Sequence, residues 1–167
     1  MNLLVKNNEI KEIPDYTFAN FSRLEILNLG SNKIESLNLN SFYGLRNLIE
    51  LYLSYNKINI IKNRSFLGLE NLKLLDLKNN FIELIEEEGF YGLLSLNELD
   101  LKSNRIRIIK NSFASLSNLR ILILESIFKL YSIEDEGFYG LSNLNYLQLN
   151  YNEIRIIKNR PFAGLSK

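Results

Sequence analysis

Phenylalanine returns along this chain at a spacing close to 24 residues: Phe18, Phe42, Phe66, Phe90, Phe113, Phe138 and Phe162. A fixed period in the twenties marks stacked repeats, each too small to bury its own apolar residues. It argues against a conventional globular core and shifts the functional expectation from a pocket for chemistry to a presented surface. Aligned on the phenylalanines, the other residues fall into columns. One unit reads Leu48-Ile49-Glu50-Leu51-Tyr52-Leu53-Ser54-Tyr55-Asn56-Lys57-Ile58, then Ile61, Phe66 and Leu69. Units open at Leu24, Leu48, Leu72, Leu96, Leu119 and Leu144. A first unit without its opening position supplies Leu3, Val5, Asn8, Ile10, Ile13, Phe18 and Phe21.

Leu51 and Leu53 alternate with Glu50, Tyr52 and Ser54, the pattern of a strand with one buried face. The asparagines Asn8, Asn32, Asn56, Asn80, Asn104 and Asn152 stand where the chain leaves that strand. A buried amide there can bond backbone groups of its own and adjacent turns. The phenylalanines are expected to stack as a spine behind the strands. Gly44, Gly68, Gly92, Gly140 and Gly164, two residues after five of them, read as turn positions with positive φ.

The columns resemble the leucine-rich repeat, LxxLxLxxNxIxxIxxxxFxxLxx, in its 24-residue form, over essentially the whole chain. The resemblance extends to Toll-like receptor ectodomains, variable lymphocyte receptors and small leucine-rich proteoglycans. It implies a repeat solenoid of the α/β class: a right-handed horseshoe with seven short parallel strands on the concave face. Irregular turns or short 3-10 segments would occupy the convex face. The repeats would cover residues 1–23, 24–47, 48–71, 72–95, 96–118, 119–143 and 144–167 as a single domain without capping modules. The resemblance implies an extracellular or cell-surface setting.

A longer period overlies the first. Alternate units carry Ile-Ile-Lys-Asn before the phenylalanine (Ile60 to Asn63, Ile108 to Asn111, Ile156 to Asn159). The units between carry Glu86-Glu87-Glu88 and Glu134-Asp135-Glu136. Stacking would set Lys62, Glu86, Lys110, Glu134 and Lys158 in one column of alternating sign, a charge ladder on the descending or convex side.

Net charge is +1, with 20 basic and 19 acidic residues, so no field is built for nucleic acid or an anionic membrane. No apolar run reaches the roughly 18 residues a membrane helix needs, so this segment is not expected to insert. The chain has neither cysteine nor histidine, which removes thiolate chemistry, disulfides and the commonest metal ligand and general base. No catalytic set, metal cluster or cofactor motif is present. Asp76 and Asp100 share a column, but Lys78 and Lys102 lie two positions on, and charge compensation accounts for them. Asn20-Phe21-Ser22 and Asn63-Arg64-Ser65 match the glycosylation triplet.

The residues between the strand leucines would line the concave face, where a partner would bind. Tyrosines there suit recognition, giving rigid contact area with a polar tip. Tyr52 and Tyr55 form one candidate group, Tyr146 and Tyr151 another. Ile121 and Ile123 are apolar where solvent is expected. Beside them Ile127 replaces the asparagine, and Leu119 to Leu144 spans 25 residues, with the extra residue near Phe128-Lys129. Local departures from a consistent pattern tend to mark function or strain. The candidate partner site is therefore Ile121, Ile123, Glu125, Phe128, Tyr146, Gln148 and Tyr151, with Glu98, Asp100, Tyr52 and Tyr55. The expected function is a non-catalytic recognition module for a protein, peptide or glycan, as part of a longer receptor-like protein. The alternative is a structural spacer, or a segment that associates end to end through uncapped repeats.

Overall fold

The computed structural model describes residues 1–165 of the 167. Twelve short strands follow one another. Seven have three residues: β1 (Asn2–Leu4), β2 (Ile26–Asn28), β3 (Glu50–Tyr52), β5 (Leu74–Asp76), β7 (Glu98–Asp100), β9 (Ile121–Ile123) and β11 (Tyr146–Gln148). The other five have two: β4 (Ile60–Ile61), β6 (Leu84–Ile85), β8 (Ile108–Ile109), β10 (Ser132–Ile133) and β12 (Ile156–Ile157). The longer strands pair in parallel, in chain order, as one seven-stranded sheet. The shorter ones pair as β4 with β6 and as β8, β10 and β12. The one helical turn among the described residues is the 3-10 segment Ala163–Leu165. The chain is a parallel-strand solenoid.

Each pairing sets equivalent residues side by side: Leu27, Leu51, Leu75, Leu99, Leu122 and Leu147 form one row. The first five are fully buried. Their neighbours in the strand point the other way, as strand alternation requires, and most are half-exposed; Asp76 is buried and Tyr146 exposed.

Behind the sheet, six rings form the expected spine. Phe42, Phe66, Phe90, Phe113, Phe138 and Phe162 stack with interplanar angles of 5–14°. Phe18 departs from the column and turns edge-on to Phe21, with centroids 6.0 Å apart, a geometry the ring quadrupole favours. Centroids along the spine are 5.6–6.3 Å apart. Hydrogen-bonded strands stand about 4.8 Å apart. The stack therefore fans out on the phenylalanine side, and the seven-stranded sheet lies on the inside of the curve.

The asparagine column is a hydrogen-bond ladder. The Nδ2 of Asn56 donates to Leu53 O at 3.1 Å and to Leu29 O of the preceding repeat at 3.0 Å. Its Oδ1 accepts the Ile34 N–H at 2.9 Å. Asn32, Asn80 and Asn104 repeat this. At Ile127 the ladder misses one rung: the bond that Ile82 N–H makes to Asn104 has no counterpart at Ile106, and the ladder resumes with Asn152, which accepts the Ile127 N–H at 2.7 Å. The extra residue is accommodated at the same place. Elsewhere the next inward-facing aliphatic comes two residues after the asparagine, as with Asn80 and Ile82. After Ile127 it is Leu130, and Phe128 and Lys129 bulge between them.

The alternating charge column forms no ion pair among the described residues. Glu86 instead accepts the Asn63 N–H at 2.8 Å, and Glu134 accepts the Ser132 hydroxyl at 2.6 Å. Short carboxylates reach a nearby donor in the turn before they reach a lysine one repeat away. The ion pair on this flank is Arg64 to Glu88, at 3.3 Å, and the Arg64 guanidinium also lies over the Tyr91 ring.

Four of the five turn glycines have φ between +88° and +95°. Gly164 does not; it sits in the 3-10 turn, pressed against the Phe138 carbonyl. Gly68 and Gly140 differ in surroundings alone. A Cβ on Gly68 meets nothing within 4 Å, whereas one on Gly140 lands 2.8 Å from Ala114 Cα and closer still to its carbonyl oxygen. Gly68→Ala is expected to cost about 1 kcal/mol, the left-handed penalty alone, and Gly140→Ala about twice that or more, because the obstacle is backbone. Urea unfolding of the two variants checks the order.

Candidate functional site

The half-exposed sheet face is built from rows that cross the strands. The first outward-facing column reads Ile26, Glu50, Leu74, Glu98, Ile121 and Tyr146. The second reads Asn28, Tyr52, Asp76, Asp100, Ile123 and Gln148. Ser54, Lys78, Lys102 and Glu125 follow two residues further along.

Ile121 thus sits between Glu98 and Tyr146, and Ile123 between Asp100 and Gln148. Both isoleucines are half-buried, and Tyr146 is exposed. The sheet brings these six together. Glu125 is less a free rim charge than a bridge: Oε1 accepts from Lys102 Nζ at 2.9 Å and Oε2 from Gln148 Nε2 at 2.6 Å. That bond to Glu125 and the nearby carboxylates hold the Lys102 ammonium above its usual pKa. The Tyr146 hydroxyl in turn donates to Gln148 Oε1 at 3.3 Å.

On the other half of the face, the Tyr52 hydroxyl donates to Glu50 Oε2 at 2.8 Å. Burial, this hydrogen bond and the nearby charges of Glu50, Asp76 and Glu98 push the phenol up to about 12. Lys78 Nζ lies 3.2 Å from Asp76 Oδ2 and 4.0 Å from Asp100 Oδ2, the compensation expected of that pair. Both aspartates also accept a backbone N–H two residues on, from Lys78 at 3.1 Å and Lys102 at 2.9 Å. Asn28 does the same for Gly30 at 3.0 Å. This column closes the strand end, and an amide serves there as well as a carboxylate.

Burial raises the Asp100 carboxyl above its ordinary pKa, the Lys102 N–H opposes this, and Asp76 adds to it. The folded state therefore binds this proton more tightly than the unfolded chain. The contribution of this group to stability is greatest in acid and is lost as pH rises through the folded pKa. Asp100→Asn keeps the turn bond and removes the charge. Its thermal midpoint is expected to exceed the parent's at neutral pH, with the gap closing well below the ordinary carboxylate range; scanning calorimetry at both pH values checks it.

Tyr55 and Tyr151 lie just past the strands, in the position before the asparagine. That whole column is left-handed: Asn7, Ser31, Tyr55, Asn79, Ser103, Ser126 and Tyr151 have φ between 53° and 60°. Tyr55 is 56 % exposed and Tyr151 82 %.

Phe128 belongs to a different surface. It shares a cleft with Phe81, Arg105, Lys129, Asn79, Asn80 and Ser103, on the flank where the chain leaves the sheet. The Arg105 guanidinium lies over Phe81, 4.2 Å from the ring centroid, and Lys129 and Arg107 each approach Glu83 to 3.8 Å. The insertion that attracts attention to Phe128 also carries it off the sheet. Phe81 and Arg105 would have joined it had the column after the asparagine been read across repeats. Among the described residues, no group of three or more carboxylates is placed to hold a metal ion, and no helix is long and apolar enough to cross a membrane.

A family model described as a leucine rich repeat matches residues 1–58. A second, described as the BspA type leucine rich repeat region, matches residues 35–167. No curated protein matches the chain. A crystal structure of a TLR13–ssRNA13 complex is similar over 98 % of this chain, with a TM-score of 0.90 and 34 % identity. The match covers 24 % of that chain, so the present sequence spans about a quarter of its length.

Proposed function

The chain belongs to the leucine-rich repeat family, and we propose that its seven-stranded face is a recognition surface for a protein, peptide or glycan, working without catalysis. The observation that carries this is the pair of tyrosines at left-handed positions bordering the sheet face. An aromatic side chain there costs about 1 kcal/mol that glycine avoids and asparagine largely avoids. Asparagine or serine fills the same column elsewhere. Tyr16 is also left-handed and exposed but meets Tyr43 edge-on; Tyr55 and Tyr151 have no such ring contact among the described residues, and contact with a partner would account for them. Ile121, Ile123 and Tyr146 would supply the apolar centre, with Glu98, Asp100 and Gln148 around it. Tyr52 and Tyr55 would form a second contact region.

Selection of phage-displayed random peptides on the folded protein tests this. Enriched peptides are expected to lose binding to an Ile123→Arg, Tyr146→Ala variant. Tyr151→Asn is expected to weaken binding while raising stability by about 0.5–1 kcal/mol. A library that enriches nothing, or peptides indifferent to these substitutions, would leave the spacer reading, which the internal pairing of Lys78, Lys102 and Glu125 favours.

A further inference from the structure

The first outward-facing row of the sheet alternates in kind. Ile26, Leu74 and Ile121 are aliphatic, and Glu50 and Glu98 stand between them. The face carries five carboxylates, Glu50, Asp76, Glu98, Asp100 and Glu125, against three ammonium groups: Lys6 at the β1 end of the column, Lys78, which is engaged by Asp76, and Lys102, which is engaged by Glu125. Glu50 meets a neutral phenol, and Glu98 has no ion-pair partner among the described residues. The whole chain is nearly neutral, so the excess negative charge is a property of this face. Two separate side chains sense it, the phenol of Tyr52 and the carboxyl of Asp100, both raised in part by neighbouring carboxylates.

The spacing carries the argument further. Glu50 and Glu98 lie two strands apart, which is about 9.6 Å at the usual strand separation. One turn of polyproline II helix takes three residues and rises about 9.3 Å. An extended strand repeats on one side every ~6.8 Å and would drift out of step with the row. We propose that the row from Ile26 to Tyr146 docks a cationic peptide segment lying across the strands, with lysine or arginine at every third position facing Glu50 and Glu98. Aliphatic residues of the segment meet Leu74 between them and Ile121 beyond Glu98. The occupant is a polypeptide, because a nucleic acid would bring phosphates against carboxylates. This rests on reading the sheet as a recognition surface and names the chemistry of its partner.

Fluorescence anisotropy with synthetic probes decides it. One labelled peptide carries lysines at i, i+3 and i+6 with valine and proline between; a second, of the same composition, carries them at i, i+2 and i+4. A labelled single-stranded RNA oligonucleotide is the third probe. The first peptide is expected to bind, to weaken about tenfold in the Glu50→Gln, Glu98→Gln variant, and to weaken with added salt. Those substitutions keep side-chain size at half-exposed positions, and circular dichroism verifies the fold. Equal binding of the two peptides overturns the spacing. An unchanged affinity in the variant, or RNA binding tighter than peptide binding, overturns the proposal as a whole. The phage selection separates the two levels: enrichment of neutral or acidic peptides that depend on Ile123 and Tyr146 would leave the recognition surface standing and remove its cationic partner.

Discussion

Phe90→Ala is expected to lower stability by about 3–5 kcal/mol, the range for deleting a fully buried ring. Phe90 is completely inaccessible and stacks on Phe66 at 5.9 Å and on Phe113 at 6.0 Å. A repeat protein cannot collapse around such a hole, because the strands on the inner side fix the distance between turns. The void persists and both flanking rings lose a partner. Phe162→Ala, at a ring that is 41 % exposed and stacks with Phe138, is expected to cost far less. Urea unfolding of both variants checks the contrast. A loss at Phe90 no larger than at Phe162 would mean that the spine fills space without setting stability.

Asn104→Ala is expected to cost about 2–6 kcal/mol, from two buried backbone groups left without partners at about 1–3 kcal/mol each. Asn104 is fully buried. Its Oδ1 is the acceptor for Ile82 N–H at 3.0 Å, and its Nδ2 is the donor to Leu101 O at 2.8 Å. Elsewhere a leucine carbonyl in this column receives two asparagines. Leu29 O accepts from Asn32 and Asn56, and Leu53 O from Asn56 and Asn80. Leu101 O accepts from Asn104 alone, because the next repeat offers Ile127. Asn32→Ala, which leaves Leu29 O still bonded to Asn56, is expected to cost less. Thermal unfolding followed by circular dichroism separates the two, and equal losses would show that the shared carbonyl does not matter.

Much of the architecture was legible because the fold repeats what the chain repeats. The strand leucines, the asparagine ladder, the phenylalanine stack and the position of the insertion follow from columns alone. Columns also identify which side chains share the sheet face, as with Ile121, Ile123, Tyr146 and Gln148. They are silent on which neighbour a long side chain reaches. Glu125 could have been a free rim charge; its position between Lys102 and Gln148 depends on reach across strands. Glu86 could have met Lys62; a backbone N–H was nearer. Phe128 lies one residue past a column that itself breaks, and a single inserted residue rotated it onto the flank with Phe81 and Arg105. The left-handed backbone at Tyr55 and Tyr151 was hidden because asparagine and serine in the same column raise no suspicion.

The break at Ile127 has a consequence for how the molecule opens. In a stack of this kind, cooperativity is a nearest-neighbour quantity, the sum of the couplings between adjacent repeats. At the junction of the fifth and sixth repeats, the strand pairing of β7 with β9 and the ring stack of Phe113 on Phe138 remain, while the amide link is gone. The pairing of β8 with β10 and the Lys102–Glu125 contact also cross the junction, so it has lost one coupling among several, and any partial melting of the stack is expected to begin there. The proposed partner row crosses that junction between Glu98 and Ile121. A ligand seated there would add a coupling across the junction where the missing asparagine removes one.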